Sequence, residues 1–453
     1  MALKHHEYSS PHFLGGVHPP ESKELTAHLP VRRMPFPDEV VIPLSQHIGA
    51  PAKPIVKVGD HVERGDLIAE AGGFVSVPMH ASATGTVKEI TRWPHPSGNL
   101  TPAIRIAVDK HSAQVPRART IPDWRGLSKP ELIQAVQDGG VVGLGGAAFP
   151  THVKLSPPEG TVLEYLILNG CECEPYLTTD HRIMVEQPRR VLTGLLIMMR
   201  ALDVKVGLIG VENNKPDAIV ALQEVLPEYE AELKEHGMRI DVIGLTVRYP
   251  QGAEKMLILA LTEREVPRGK LPLDLGVLVQ NVGSVASIAE IFETGLPLLE
   301  RVVTVTGHGI RKPSNVLVPI GAKLKDVFEF CGGVTMDARQ IVMGGPMMGP
   351  SQANLETPII KGITGIVVLP AGEVKSQEEY DCIRCGHCLD ACPVFINPQR
   401  LGLLAKNMRY ETMQEDYALN DCMLCGCCSY VCPSNIPLSQ LFGASKAYLR
   451  RNG

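Results

Sequence analysis

Eight of the twelve cysteines stand in two copies of one spacing, C-x2-C-x2-C-x3-C-P: Cys382, Cys385, Cys388, Cys392 with Pro393, and Cys422, Cys425, Cys428, Cys432 with Pro433. No other feature constrains the fold as tightly, because thiolates so spaced must be wrapped round a common guest. A [4Fe-4S] cubane takes four thiolates. A loop with two residues between cysteines supplies three of them, and the last cysteine of each run serves the other cluster. That rule assigns Cys382, Cys385, Cys388 and Cys432 to one cluster and Cys422, Cys425, Cys428 and Cys392 to the second, each proline turning the chain away after its crossing cysteine. Structural zinc is the competing reading, but its all-thiolate ligands usually come as two separated C-x2-C pairs. Cys427 falls outside the spacing and reads as a small packed thiol.

At 453 residues the chain has room for about three domains. A formal net charge of -5 without a basic run excludes a nucleic-acid footprint. Cluster motifs and many free thiols point to a reducing compartment, and the first residues lack the apolar core of a secretory signal. The longest apolar stretch, Val191 to Met199, is interrupted by Thr193 and Gly194 and closed by Arg200. A span takes about 20 apolar residues, so the chain is expected to have no transmembrane segment and to meet a membrane only through partner subunits. His5, His6, His12 and His18 have no ligand spacing and read as a solvated arm, residues 1–35.

Residues 36–114 alternate short β-rich runs with turns, and the half-repeats VKVGDHVERGDLIAEAG and VPMHASATGTVKEI resemble the barrel-sandwich hybrid of biotinyl and lipoyl domains. The hairpin that would bear a modified lysine, Gly72 to Ala83, has none, which predicts an unmodified module. Beyond a linker (Val115 to Ser128) helix and strand alternate. Over 127–299 the pattern predicts a helix at Leu132 to Gln137, strands in LEYLILNG, VKVGLIGV and RIDVIGL, and helices over Ile183 to Ala201, Lys215 to His236 and VGSVASIAEIFETG. Residues 300–370 return to β character with a short helix at Leu324 to Phe330, the size of a β-grasp module. Residues 377–453 form the cysteine domain, with a helix Gln399 to Asn407 between the runs. The expected fold class is multidomain α/β with an α-helical, ferredoxin-like tail.

Gly139 to Pro150 reads GGVVGLGGAAFP. Its small residues let backbone amides approach a ligand, and Gly143, Gly145 and Gly146 cluster where a phosphate cradle would form. The loop follows a helix, which does not support the standard dinucleotide fold. Lys154 could reach a phosphate as a point charge. The strand LEYLILNG runs into CECEPYLTTDHR, placing Asn169, Glu172 and Glu174 at a strand's carboxyl end, where open α/β sheets bind ligands. Cys171 and Cys173 read as buried thiols.

Together GLGGAAFPTHVKL, NGCECEPYLTTDHR, YPQGAEKMLI, VQNVGS, the opening FLGGVHPPESKELT and the two cysteine runs resemble the RnfC component of the Rnf complex, a membrane-bound ferredoxin:NAD oxidoreductase, over essentially the full length. The central part also resembles the flavin-bearing, NADH-oxidising subunit of respiratory complex I, with its GRGGAGFPTG and NADExEPG motifs. The resemblance implies FMN, with Gly143, Gly145, Gly146 and Lys154 around its phosphate and ribityl chain. Asn169, Glu172 and Glu174 would border the flavin and nicotinamide, with Glu174 at the catalytic pocket, and Phe149 would stack on the incoming nucleotide. Tyr249 and Glu254 of YPQGAEK and Asn281 of QNVGS would approach the isoalloxazine. Three positions depart from the complex I motifs: its loop arginine is Leu144, a glycine is Ala148, and the aspartate of NADE is Cys171.

The implied function is to pass electrons between NAD(H) and the ferredoxin side through FMN and two [4Fe-4S] clusters. The protein would sit peripherally on the cytoplasmic face of the bacterial inner membrane, meeting ferredoxin or flavodoxin indirectly through other subunits of the complex. The competing readings are a flavin-free two-cluster relay and docking subunit, which the departures at Leu144 and Cys171 keep open, and the diaphorase part of a soluble NAD-linked hydrogenase.

Overall fold

The structure is a computed structural model and describes residues 13–374 and 378–452; His5, His6 and His12 lie outside the described residues. The arm from Phe13 onward is not solvated. Phe13 and Val17 are buried, Gly16 N–H donates to Ala391 O at 3.0 Å, and Val17 pairs with Tyr249. Lys23, buried, donates to the carbonyls of Glu172 (2.9 Å), Glu174 (2.9 Å) and Leu177 (2.5 Å). The arm ends in β1 (Val31–Arg33), which pairs in parallel with a strand nearly 300 residues away. Nothing local marks these contacts, so the chain's periodicity could not show them. His18 itself is exposed.

The next module holds β2 (Glu39–Pro43), β3 (Lys53–Pro54), β4 (His61–Val62), β5 (Leu67–Glu70), β6 (Met79–His80), β7 (Gly85–Pro94) and β8 (Leu100–Val108), in two small antiparallel sheets of order β2-β8-β7-β4 and β3-β5-β6. Paired G-D turns reverse the chain at Gly59 and Gly65, both at positive φ (+96° and +101°) where a side chain would be strained. Val40, Ile42, Ile68, Val87, Ile104 and Ile106 fill the space between the sheets.

The central domain opens with α1 (Lys129–Asp138), capped by Ser128 and Glu131. The glycine loop and α2 (Thr151–Lys154) follow, then β9 (Tyr165–Asn169), α3 (Thr179–Glu186), α4 (Pro188–Leu202), β10 (Val206–Glu212), α5 (Pro216–Val225), α6 (Glu230–Glu235), β11 (Arg239–Leu245), α7 (Glu254–Thr262), β12 (Val277–Asn281) and α8 (Val282–Thr294). The sheet is parallel, in order β11-β10-β9-β12. Its strands read as continuous apolar runs because helices cover both faces. Two expected helices are broken. The Ile183 to Ala201 stretch divides at Gln187, since Pro188 lacks an N–H and opens a new helix. The Lys215 to His236 stretch is interrupted by a 3-10 turn at Leu226–Tyr229 containing Pro227.

The third module comprises β13 (Glu300–Thr306), β14 (Ser314–Pro319), α9 (Leu324–Phe330), β15 (Ala338–Met343), β16 (Ser351–Gln352) and β17 (Gly365–Pro370). With the arm's β1 they form one six-stranded sheet, β1-β14-β13-β17-β15-β16. A buried hydroxyl and amide network, Thr26, Thr178, Thr179, Thr304 and Asn315, ties arm, α3 and this sheet together.

The tail holds α10 (His387–Asp390), α11 (Pro398–Lys406), α12 (Tyr410–Glu415), α13 (Cys427–Tyr430) and α14 (Leu438–Asn452). Its two halves repeat in backbone detail: Arg384 and Leu424 both have φ +57°, Phe395 and Asn435 both +52°, and Gly386 and Gly426 lie at +86° and +81°. Leu401, Met413, Leu419 and Phe442 make the core between the halves. No helix among the described residues is long and apolar enough to cross a membrane.

Candidate functional site

The glycine loop is pinched at its neck and pegged from below. Gly143 N–H donates to Phe149 O at 2.7 Å, Ala148 N–H returns to Gly143 O at 3.1 Å, and Val142 pairs with Pro150. Leu144 is fully buried in the barrel-sandwich core, its N–H on Ser284 Oγ at 2.8 Å. Gly145, Gly146 and Ala147 are left as an exposed tip, with Gly146 at φ +106°. Two flanking modules and the end of β12 touch the loop. Ile48 N–H donates to Ala148 O at 3.2 Å, Arg301 Nη2 donates to Leu144 O at 3.1 Å, and a Cβ on Gly145 would lie 3.2 Å from the Asn281 side chain.

Asn281 and Asn169 end the paired strands β12 and β9 in register. Asn281 Oδ1 caps α8 through Gly283 and Ser284, while its Nδ2 donates to Asp180 at 2.6 Å. Asn169 Nδ2 donates to Gly252 O at 2.8 Å. Lys154 is drawn inward rather than solvated; its Nζ donates to Val279 O at 2.8 Å and lies 3.9 Å from the Glu254 carboxylate, and burial lowers its pKa. The structure thus brings Gly143, Gly145, Gly146, Lys154, Asn169, Glu254 and Asn281 to the β9–β12 side of the sheet. Phe149 is half-buried at the loop's end.

The two carboxylates of the strand-end run face different ways. Glu172, at φ +48°, turns back and accepts from the N–H groups of Asp180 (2.8 Å) and His181 (3.1 Å) at the start of α3. Burial, and then the Glu172 charge, push Asp180 up to about 7. Glu174 points toward the third module: Oε2 accepts from Met347 N–H at 3.1 Å, and Oε1 is buried with no partner among the described residues. Burial pushes its carboxyl up to about 7. Cys171 and Cys173 are free thiols whose pKa burial raises.

Tyr249 stands between this site and the tail. Its ring packs with Val17, Ala391, Cys427, Cys173, Met347 and Cys425, and its hydroxyl donates to Cys425 O at 2.8 Å. One cavity in the tail is lined by Cys382, Cys385, Cys388 and Cys432, a second by Cys422, Cys425, Cys428 and Cys392. Leu424 N–H points at Cys422 Sγ at 3.5 Å, the type of donor a cluster-bound thiolate accepts. Cys427 is buried beside the second cavity. Among the described residues no three Cys, His or carboxylate groups converge on a single ion; each thiolate round a cubane takes a different iron, so wider spacing fits a cluster. Lys446 Nζ donates to Cys422 O at 2.6 Å. Lys446, Arg301, Lys23 and Asp180 were not singled out from the sequence. Arg301 carried one signal, a charge at the head of the apolar run VVTVT; Lys23 carried none.

Four family models match the chain in succession: the RnfC barrel sandwich hybrid domain over residues 11–111, the Nuo51 FMN-binding domain over 136–290, the SLBB domain over 302–351 and the 4Fe-4S dicluster domain over 378–436. The RnfC component of the proton-translocating ferredoxin:NAD(+) oxidoreductase complex of Clostridium ljungdahlii is 46% identical over 90% of this chain and 88% of its own length. Its counterpart in the Na(+)-translocating complex of Acetobacterium woodii is 41% identical over 90% of each chain. The corresponding component of the ion-translocating oxidoreductase complex of Rhodobacter capsulatus is 39% identical over 89% of this chain and 76% of its own. Among solved structures, a chain of an NAD+-reducing [NiFe]-hydrogenase shares the fold with TM-score 0.52 at 19% identity, covering 73% of this chain and 61% of that one. With relatives this similar over nearly the whole chain, the chain belongs to the RnfC family of ion-translocating ferredoxin:NAD(+) oxidoreductase complexes.

Proposed function

We propose that this chain exchanges electrons between NAD(H) and one-electron carriers, as the peripheral NADH-oxidising subunit of an Rnf-type complex on the cytoplasmic face of the inner membrane. The observation that carries the reading is the Tyr249 bridge. One turn of chain, Tyr249 to Glu254, borders Asn169 and Lys154 at one end and touches Cys425 at the other. A group held by the first set therefore lies next to a cavity lined by four cysteines.

The residues fit the groups. The exposed Gly145–Ala147 tip suits a phosphate, and Lys154 and Asn169 suit a ribityl chain and ring edge. Bound FMN would supply the chemistry that turns hydride transfer into single-electron steps. This chain's residues orient and shield: Asn169, Glu254 and Asn281 line the ring side, Phe149 flanks the nucleotide, Glu172 holds the strand-end loop onto α3, and Glu174 borders the nicotinamide. No side chain need act as acid or base, because NADH yields its electron pair with the proton as hydride. Per turnover NADH becomes NAD+ and a proton, and the two electrons leave singly. Cys422, Cys425, Cys428 and Cys392 would hold the cluster beside Tyr249. Cys382, Cys385, Cys388 and Cys432 would hold the outer one, where Cys385 and Ile383 are exposed and stand open to a partner. Residues 36–114, 127–299, 300–370 and 377–453 divide these tasks as scaffold, flavin site, brace and relay. Ferredoxin or flavodoxin would be met through other subunits.

Anaerobic purification with iron, sulfide and flavin measured on one sample tests this. About eight iron per chain, with FMN and NADH–ferricyanide activity, is expected. Full iron with neither flavin nor NADH oxidation would instead leave a flavin-free relay, the reading that the departures at Leu144 and Cys171 keep open.

A further inference from the structure

The tip of the glycine loop is a row of amides with nothing to bond. Among the described residues none accepts from the N–H of Gly145, Gly146 or Ala147, and the positive φ of Gly146 lets successive amides turn toward one guest. Such a nest binds an anion better when a cation stands behind it, and the loop has none of its own. Leu144 occupies the place of the arginine in the motif the loop resembles.

A cation arrives from another module. Arg301, on β13, is 3% exposed. Its Nη2 donates to Leu144 O at 3.1 Å and to Ile363 O at 3.3 Å, and its Nε has no partner among the described residues. Leu144 C=O and Gly145 N–H are two ends of one peptide unit. A guanidinium on that carbonyl polarises the amide and makes Gly145 N–H a stronger donor to an anion. The acid facing it is Asp180, itself held by Asn281.

We infer that Arg301 is a positioning residue for the glycine loop: from the β-grasp side it supplies the charge missing at Leu144, and so makes the site select a flavin bearing a phosphate monoester over one without. This rests on the reading that the loop receives the phosphate of FMN. A purely structural Arg301, tying two modules through carbonyls, would loosen every flavin alike.

The test uses the full chain freed of flavin and titrated with FMN and with riboflavin, followed by flavin fluorescence. Wild type should prefer FMN. Arg301→Gln, which keeps a donor but not the charge, should lower the FMN-over-riboflavin ratio about tenfold, with riboflavin binding little changed, and Arg301→Lys should retain most of the ratio. Equal weakening of both flavins in Arg301→Gln overturns the inference. If that variant does not fold, the isosteric Asp180→Asn carries the test: relieving Arg301 of its facing acid should raise the ratio, and an unchanged or lower ratio counts against it. Wild type that binds riboflavin as tightly as FMN overturns the inference alone, and wild type that binds neither overturns the flavin site with it.

Discussion

Replacing Glu174 with Gln should flatten the chain's pH dependence of stability in a defined window. Burial pushes this carboxyl up to about 7, and the Met347 N–H that bonds Oε2 only partly offsets the cost. Between the ordinary carboxylate range and about 7 the folded chain therefore binds more of this proton than the unfolded chain does. Stability falls as pH rises through that window, and the loss is complete above it. At about 1.4 kcal/mol per pKa unit, the displacement corresponds to roughly 3 kcal/mol at most. Gln is isosteric, its carbonyl oxygen can still accept from Met347, and it carries no charge to desolvate. Urea midpoints at pH 5 and pH 8, followed through the fluorescence of the buried Trp124, should differ less in the variant than in wild type. Asp180, also raised to about 7, contributes equally to both proteins and cancels in the comparison. Identical pH dependence in the two would refute the reasoning.

The same Glu174→Gln variant should oxidise NADH with ferricyanide several-fold more slowly; unchanged kinetics would remove Glu174 from the nicotinamide pocket. Cys392→Ala should disturb the EPR signal of the cluster bound by Cys422, Cys425 and Cys428, and damage confined to the other signal would contradict the crossed assignment. Lys446→Gln removes a positive charge bonded to Cys422 O; since reduction adds negative charge, the potential of that cluster should fall by tens of millivolts, about 1–2 kcal/mol, with the other cluster as internal control. Gly194→Ala would put a Cβ 1.9 Å from Val285 O where α4 crosses α8. Overpacking of this kind costs about 1–3 kcal/mol or more, which a lower melting temperature would register.

What the sequence made legible was whatever local spacing or periodicity encodes. The cysteine runs mark the tail and pair its thiols. The apolar runs of β9, β10 and β11 announce a buried parallel sheet, and the expected helix at Leu324–Phe330 has the observed bounds. Pro188 and Pro227 were in plain view but read as helix interior, because the apolar pattern continues across both. The arm was hidden for a different reason: Lys23 looks like any surface lysine until three carbonyls more than 140 residues away close round it. Glu172 and Glu174 were legible as a pair at a strand end, but not their opposite directions, which follow from the positive φ at Glu172 and from Met347 in another module. Arg301 answers Leu144 across domains, a compensation no local motif can display.

The strap from Phe13 to Leu29 also sets an order of assembly. Ribosomes make it well before Ala391 and Cys392, which Gly16 and Gly15 touch. The junction beside Tyr249 can therefore close only after the cysteine-bearing module has left the ribosome.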